Sequence, residues 1–401
     1  MHVSKHLELA SDWLTKSEII HGSSANSRYG PLKGGYLIDE KKYNFIYNEI
    51  NGYGISCFVN LYRSTGNEEY LRHAKAVADY LFSTLSGEDG HVSTLAFVHS
   101  ASFPEQKLNR RYFSFDNGMI VSGLLDLYEV TGDLKYYDHG KRCISWIIES
   151  LQQSDGAFHS YYNADTGEIW HGGEGFINDR SAIHTKLSIP LLKVWKHSGN
   201  AAFLNSANTL MKWAKGLQAE DGAFWSDEYK KTVFTHYHCY AVEGFLYAYH
   251  VTRNEEYRSA ALRGIDWLWG AQLRDGSMNY KYKSRHSILD GLKDRLIKRK
   301  TSDATAQAVR LWLLADTITG ENNYREAAAK GVRFLERMQL SNTDDKKTLG
   351  GLLYRRKQFM FIGRMQAKLY SWCTQFAAQA FTMWLQAESR SLCSESVENL
   401  F

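Results

Sequence analysis

Six strongly apolar segments recur along the chain, at residues 50–62, 119–128, 187–195, 240–249, 306–315 and 376–385. Between them lie segments of a second kind, apolar at i, i+3 and i+4 with charged faces, as in residues 70–81. A helix that is apolar all round is buried, and one with a single apolar stripe covers it, so the chain reads as helix pairs. A segment of the second kind, residues 3–14, opens the chain, whereas the last apolar segment has no successor. The count closes when the N-terminal helix completes the final hairpin. The pattern thus predicts an all-α (α/α)6 toroid, a single domain over residues 1–401 with six inner and six outer helices.

Two short phrases punctuate the pairs. The first is TGNEEY at 65–70, TGDLKY at 131–136, SGNAAF at 198–203, TRNEEY at 252–257 and TGENNY at 319–324. Its glycine ends an inner helix by tolerating the left-handed conformation. The Asn or Asp that follows caps the next helix. The second phrase is SDGAF at 154–158, EDGAF at 220–224 and RDGSM at 274–278, with a related slot at 86–90. Asp-Gly there is a turn signal. Both phrases are scaffold.

Composition sharpens the picture. With 3 Pro in 401 residues, where a usage of about 5% would give roughly 20, long helices run uninterrupted. The 11 Trp and 25 Tyr fit an aromatic-lined space and argue against a β-sandwich. A formal net charge of +4 excludes a tail-driven nucleic-acid binder. No run of about 18 uncharged apolar residues exists, so no membrane span is expected. The five scattered cysteines include no CxxC pair, which fits a reducing cytoplasm and disfavours a zinc site. No metal and no cofactor is expected.

The starts of the inner helices carry the chemistry. Glu49, Asp116, His184, His236 and Asp303 come from five separate repeats, and Trp372 and Gln375 from the sixth. Paired carboxylates around an aromatic cavity suit sugar chemistry, one donating a proton to the leaving oxygen while another activates water or steadies the cation. The same carboxylates would also serve as helix caps or first-turn charges. His184 and His236 are candidate acid/base groups, since imidazole titrates near neutrality. His236 and His238 are two apart on a helix and make a poor metal pair. Tyr53, Tyr240 and Trp372 offer flat faces to pyranose rings, with His238 and Gln375 as further contacts. Arg111 and Arg180, among Arg28, Arg110, Lys281, Lys283, Arg285, Arg355, Arg356 and Lys357, would grip a carboxylate such as a uronate, unless these residues form an ordinary solvated surface. Residues 281–300 in particular look like an exposed basic stretch.

The hairpin pattern with its TG(D/N)xxY joints and DGxF turns resembles the six-hairpin glycosidase-like superfamily across nearly the whole chain. Within it, the nearest resemblance is to unsaturated uronyl hydrolases and to toroid proteins encoded with polysaccharide biosynthesis genes. Phe115-Asp116-Asn-Gly-Met is similar to an Asp-x-Gly helix start in the uronyl hydrolases. Leu187-Ser-Ile-Pro190 is similar to a second inner helix that holds a mid-helix Pro. The resemblance implies a proton-donating carboxylate six or seven residues before that Pro, where this chain has His184 and Ile183. It also implies, for related epimerases and lyases, a His or Tyr base beside a uronate carboxylate, a role open to His184, His236 and Tyr240.

The expectation is a cytoplasmic glycoside hydrolase acting on an anionic, uronate-containing oligo- or polysaccharide, with no nucleic-acid or membrane partner. Asp116 is the first choice for acid/base work, with Glu49 or Asp303 as second carboxylate and His184 and His236 relaying protons. A uronate C5-epimerase or lyase, or a non-catalytic glycan-binding subunit, are the alternatives.

Overall fold

The computed structural model describes residues 2–21, 29–86, 91–92, 95–97, 107–108, 110–170, 179–229, 232–283, 297–359 and 362–401. Arg28, Asn178, Arg285 and the turn at 87–90 lie outside the described residues. Among the described residues there are twelve α-helices: α1 Val3–Lys16, α2 Asn48–Thr65, α3 Glu68–Ser83, α4 Ser114–Thr131, α5 Leu134–Leu151, α6 Ser188–Ser198, α7 Ala201–Lys215, α8 Thr235–Thr252, α9 Glu255–Ala271, α10 Ser302–Thr319, α11 Asn322–Met338 and α12 Ser371–Glu388. None is long and apolar enough to cross a membrane. No disulfide links the five cysteines.

The chain divides into two compact units. The first, Glu18–Gly34 with Tyr43–Gly216 and Phe401, holds the hairpins α2/α3, α4/α5 and α6/α7. The second, Met1–Ser17 with Gly35–Lys42 and Leu217–Leu400, holds α8/α9, α10/α11 and the pair of α12 with α1. In each unit the first helix of a hairpin is the inner one. Every residue from Asn48 to Leu61 in α2 and from Ser302 to Ala315 in α10 is buried. The outer α5 buries only Tyr136, Gly140, Cys143, Ile144, Ile147 and Leu151, the stripe its periodicity predicts.

The joints behave as the phrases predict. Gly66, Gly132, Gly199 and Gly320 close α2, α4, α6 and α10 at φ 66 to 73°, and Arg253 takes the same left-handed position after α8 at φ 58°. Asn67, Asp133, Asn200 and Asn254 then cap the outer helices through their side chains.

The second phrase does more than turn. Gly156, Gly222 and Gly276 have φ between 88 and 97°, and a Cβ on any of them would overlap the carbonyl of Thr209, Arg263 or Lys330 on the following outer helix. A glutamine four residues earlier ties the same two elements. Gln218 Nε2 donates to Gly222 O at 3.2 Å and to Ala260 O at 2.8 Å, and Gln152 and Gln272 repeat the pattern. The last copy is Gln339, which donates to Gly350 O at 3.0 Å and to His6 O at 2.9 Å in α1. Gly350 presses on Leu9 as its counterparts press on α7, α9 and α11. The N-terminal helix therefore fills the outer position of the sixth hairpin. This copy has no Asp-Gly, so the phrase alone did not mark it.

Buried ion pairs join the inner helices within each unit. In the first, Lys193 of α6 pairs with Asp126 of α4, whose Oδ2 also accepts from Ser56 of α2 at 2.6 Å. In the second, Arg310 of α10 pairs with Glu243 of α8 at 2.6 Å and donates to Gln379 of α12.

Two boundaries differ from the pattern. The inner helices α4, α8, α10 and α12 start four or five residues before their apolar runs, because a polar first turn carries no hydrophobic period. Pro190 is not in mid-helix: residues 182–187 form a 3-10 stretch and Pro190 sits in the first turn of α6, where a missing amide proton breaks no helix bond. The basic stretch at 281–300 is in part a sheet. Strand Ile297–Thr301 pairs with Arg355–Phe359, and Lys300 is buried with its ammonium 2.6 Å from Asp275.

Candidate functional site

Five outer helices, α1, α3, α5, α7 and α9, take side-chain caps, whereas α11 and the inner helices do not. Tyr47, Phe113, Phe234, Thr301 and Tyr370 precede α2, α4, α8, α10 and α12 without a capping hydrogen bond. Glu49 and Asp303 are second and Asp116 third in their helices, inside the first turn rather than at the cap. Asp303 still accepts from the amide of Ala304 at 2.7 Å.

A brace at the fourth residue of these helices fixes their register. Asn51 accepts from Leu32 N at 2.7 Å and Asn117 from Val92 N at 2.7 Å. Met278 N donates to Thr305 at 2.9 Å and Leu352 N to Thr374 at 3.2 Å. In α8 the brace is His238, whose Nδ1 accepts from Phe224 N at 2.9 Å, leaving Nε2–H to donate to Gly264 O at 3.0 Å. Burial holds this imidazole uncharged, its pKa lowered to about 4. Both ring nitrogens of His238 thus serve the scaffold, at the place where other repeats use Asn or Thr. Two residues before the brace stand Glu49, His236, Asp303 and Trp372; four residues further on, over the same helix face, stand Tyr53, Tyr240, Gln307 and Phe376.

In the first unit Glu49, Tyr47, Tyr53 and Lys186 form one cluster. Glu49 is buried, and desolvation pushes its carboxyl up to about 7, against hydrogen bonds from Tyr47 and Tyr53 and the charge of Lys186. The ammonium of Lys186, itself buried, lies 5.2 Å from the ring centre of Tyr53. Phe401 also packs on the Tyr53 ring, with centroids 6.2 Å apart. Asp116 is fully buried in the first turn of α4. The backbones of α2 and α4 meet closely, since a Cβ on Gly52 would lie 2.7 Å from Met119 and Ile120.

His184 is also in this unit, fully buried, with neither ring nitrogen hydrogen-bonded among the described residues. Burial, helped by nearby His159, lowers its pKa to about 3. His159 is held by Asp179 at 3.1 Å, a pair that the sequence did not suggest. Arg111 is exposed, 5.6 Å from the ring centre of Tyr161. Arg180 is drawn into a brace, 2.6 Å from Asp155 and 2.8 Å from Gln153, and Arg110 pairs with Asp165 at 3.5 Å.

In the second unit His236 and Asp303 share a cluster with Arg355. Burial lowers the pKa of His236 to about 4, with Asp303 opposing and Arg355 reinforcing the shift. Tyr280 stacks on His236 at 6.0 Å and Tyr240 meets it edge-on at 6.1 Å. The Arg355 guanidinium lies between Tyr280 and Tyr354, 4.2 and 4.6 Å from their ring centres. Trp372 stacks on Tyr370 at 4.1 Å, and Gln375 is buried within α12. Tyr280, Tyr354 and Lys186 were not singled out from sequence, because no repeat phrase marks them. Among the described residues no three His, Cys, Asp or Glu side chains are grouped to hold a metal ion.

Comparison with known proteins adds to this geometry. No curated protein sequence matches the chain. Solved structures do, at low identity. A sugar epimerase from a ruminal bacterium superposes with a TM-score of 0.75 at 13% identity, covering 98% of this chain and 100% of its own. Cellobiose 2-epimerase from Bacillus thermoamylovorans gives 0.75 at 11%, covering 96% and 100%. An unsaturated glucuronyl hydrolase specific for heparin gives 0.70 at 12%, covering 98% and 99%. These likenesses show the fold, an (α/α)6 toroid. The profile of glycosyl hydrolase family 76 matches residues 34–171, and that of a second glycoside hydrolase family matches residues 106–337, more than half of the chain. The chain therefore belongs to the family described as beta-L-arabinofuranosidase, GH127 catalytic domain, and is a carbohydrate-active enzyme.

Proposed function

We propose that this enzyme hydrolyses a glycosidic bond in a uronate-containing glycan, with Glu49 as the proton donor. The observation that carries the reading is the Glu49 carboxyl, buried and held at about 7, so that it keeps its proton near neutral pH. Such a group can protonate a leaving oxygen where an ordinary carboxyl, already ionised, cannot. Once the proton is given up, Tyr47, Tyr53 and Lys186 are in place to steady the carboxylate. Asp116, in the first turn of the neighbouring inner helix, is the second carboxylate of the proposal, as base or nucleophile. The family name supports hydrolysis, and the uronyl hydrolase among the similar structures supports both hydrolysis and an acidic sugar.

The test is a proton NMR time course in deuterated buffer on uronate oligosaccharides and an aryl β-L-arabinofuranoside, with wild type, Glu49→Gln and Asp116→Asn. New reducing-end signals that vanish in both variants support the reading. Cleavage of the arabinofuranoside alone would retain the acid and overturn the uronate. Full activity of Glu49→Gln would remove the acid.

One observation favours a second reading, a uronate epimerase or lyase. His236 is uncharged at neutral pH, with Arg355 beside it to offset charge on an enolate. Uptake of solvent deuterium at a ring carbon without chain cleavage would establish the epimerase, and cleavage with a new vinyl proton the lyase, either one lost in His236→Asn.

A further inference from the structure

The second unit contains a groove of about 560 Å³, within the usual size of a ligand site. Arg299, Arg355 and Lys368 line it, together with Asp39, Glu40 and Gln366. Arg299 and Arg355 come from paired antiparallel strands. Thr301 opposes Arg355, and Arg299 lies two residues from Thr301, so both arginines stand on one face of the sheet. None of the three cations makes an ion pair with a carboxylate among the described residues, whereas Glu40 is taken up by Lys42 at 2.7 Å. Three cations therefore line one groove without an ion-pair contact to the two carboxylates, Asp39 and Glu40, that share it.

Arg355 is also fixed in orientation. Its guanidinium is held between Tyr280 and Tyr354, with Nη2 donating to the Tyr354 hydroxyl at 2.7 Å and the Tyr280 hydroxyl accepting a second hydrogen bond. Nε is buried and has no acceptor among the described residues. A planar fork held this way matches a carboxylate better than a diffuse positive surface would. Asp39 and Gln366 add acceptors and a donor suited to sugar hydroxyls.

We infer that this groove is the subsite for the carboxylate of a uronic acid unit, anchored by Arg355 with Arg299 and Lys368. The assignment rests on the uronate reading above and concerns binding within the second unit. It is tested by binding, apart from turnover, with isothermal titration of glucuronate, glucose and inorganic phosphate at constant ionic strength into wild type, Arg355→Met and Arg299→Met. The expected result is saturable binding of glucuronate, at least tenfold weaker binding of glucose and phosphate, and a tenfold or greater loss in each variant. Arg299→Met leaves the tyrosine sandwich intact and keeps the test valid should Arg355→Met fail to fold. Equal binding of phosphate would make the groove a general anion site and overturn the assignment. Glucuronate binding no tighter than glucose, or unchanged in Arg299→Met, would overturn it as well. Binding of glucuronate with no hydrolysis of any uronate substrate would refute the catalytic reading alone.

Discussion

Replacing Glu49 by glutamine separates stability from activity in a way that only a buried, protonated carboxyl produces. The folded protein holds this proton up to about pH 7, while an unfolded chain releases it near 4.5. Between those values the native state binds the extra proton, so stability falls as pH rises, fully present below 4.5 and lost on passing 7. At about 1.36 kcal/mol for each tenfold change in proton affinity, the whole interval is worth about 3 kcal/mol. The amide of Glu49→Gln cannot ionise and escapes this loss. Measured by urea unfolding, the variant should gain about 2 to 3 kcal/mol on wild type between pH 5 and pH 8. Comparing the two proteins at each pH cancels the groups that titrate independently of Glu49. Over the same range the variant should lose turnover by about 10² to 10⁴-fold, the usual worth of a general acid. A stability difference that stays flat from pH 5 to pH 8 would mean that Glu49 ionises normally, and the proton-donor assignment would fall with it.

Other perturbations address the scaffold. Gly276→Ala, at φ 88° with its new Cβ against Lys330 O, should cost about 3 kcal/mol or more in urea unfolding, whereas Gly66→Ala, at φ 69° with open space around it, should cost only about 1 to 2. His238→Ala should destabilise by about 2 to 4 kcal/mol through two lost buried hydrogen bonds, with kcat/KM per folded molecule nearly unchanged; a large loss of kcat/KM in fully folded protein would return it to the site. Lys193→Met leaves Asp126 buried without its cation and should cost about 3 to 5 kcal/mol, much of it recovered in the Asp126→Leu/Lys193→Met double variant. A double variant no better than the single one would show that the pair is not the source of the cost.

Local chemistry was legible in the sequence and long-range partnership was not. Thr-Gly-Asn and Asp-Gly announce themselves because left-handed glycine and an Asn cap are requirements of a few adjacent residues. The lattice of Gln152, Gln218, Gln272 and Gln339 escaped notice, since each glutamine finds half of its partners on another hairpin. His238 looked like chemistry because its counterparts at the same position, Asn51, Asn117, Thr305 and Thr374, share a hydrogen-bonding job and no side-chain type. The candidate carboxylates were found from their place at the helix starts. What raises Glu49 is burial, and desolvation leaves no mark in a sequence; its neighbour Lys186 lies well over a hundred residues away in the chain.

The joining of α1 to the Gln339–Gly350 turn also orders events in time. His6 and Gln339 touch across 333 residues. Synthesis toward the C-terminus releases α1 some 333 residues before its docking surface, so the helix must wait, its apolar stripe uncovered, while the three hairpins of the first unit can close as they emerge. The long loop itself adds little penalty, because closure entropy grows only logarithmically with length. The burden is exposure: until the Gln339–Gly350 turn emerges, the sticky face of α1, with Trp13 and Leu14, is a natural target for chaperones.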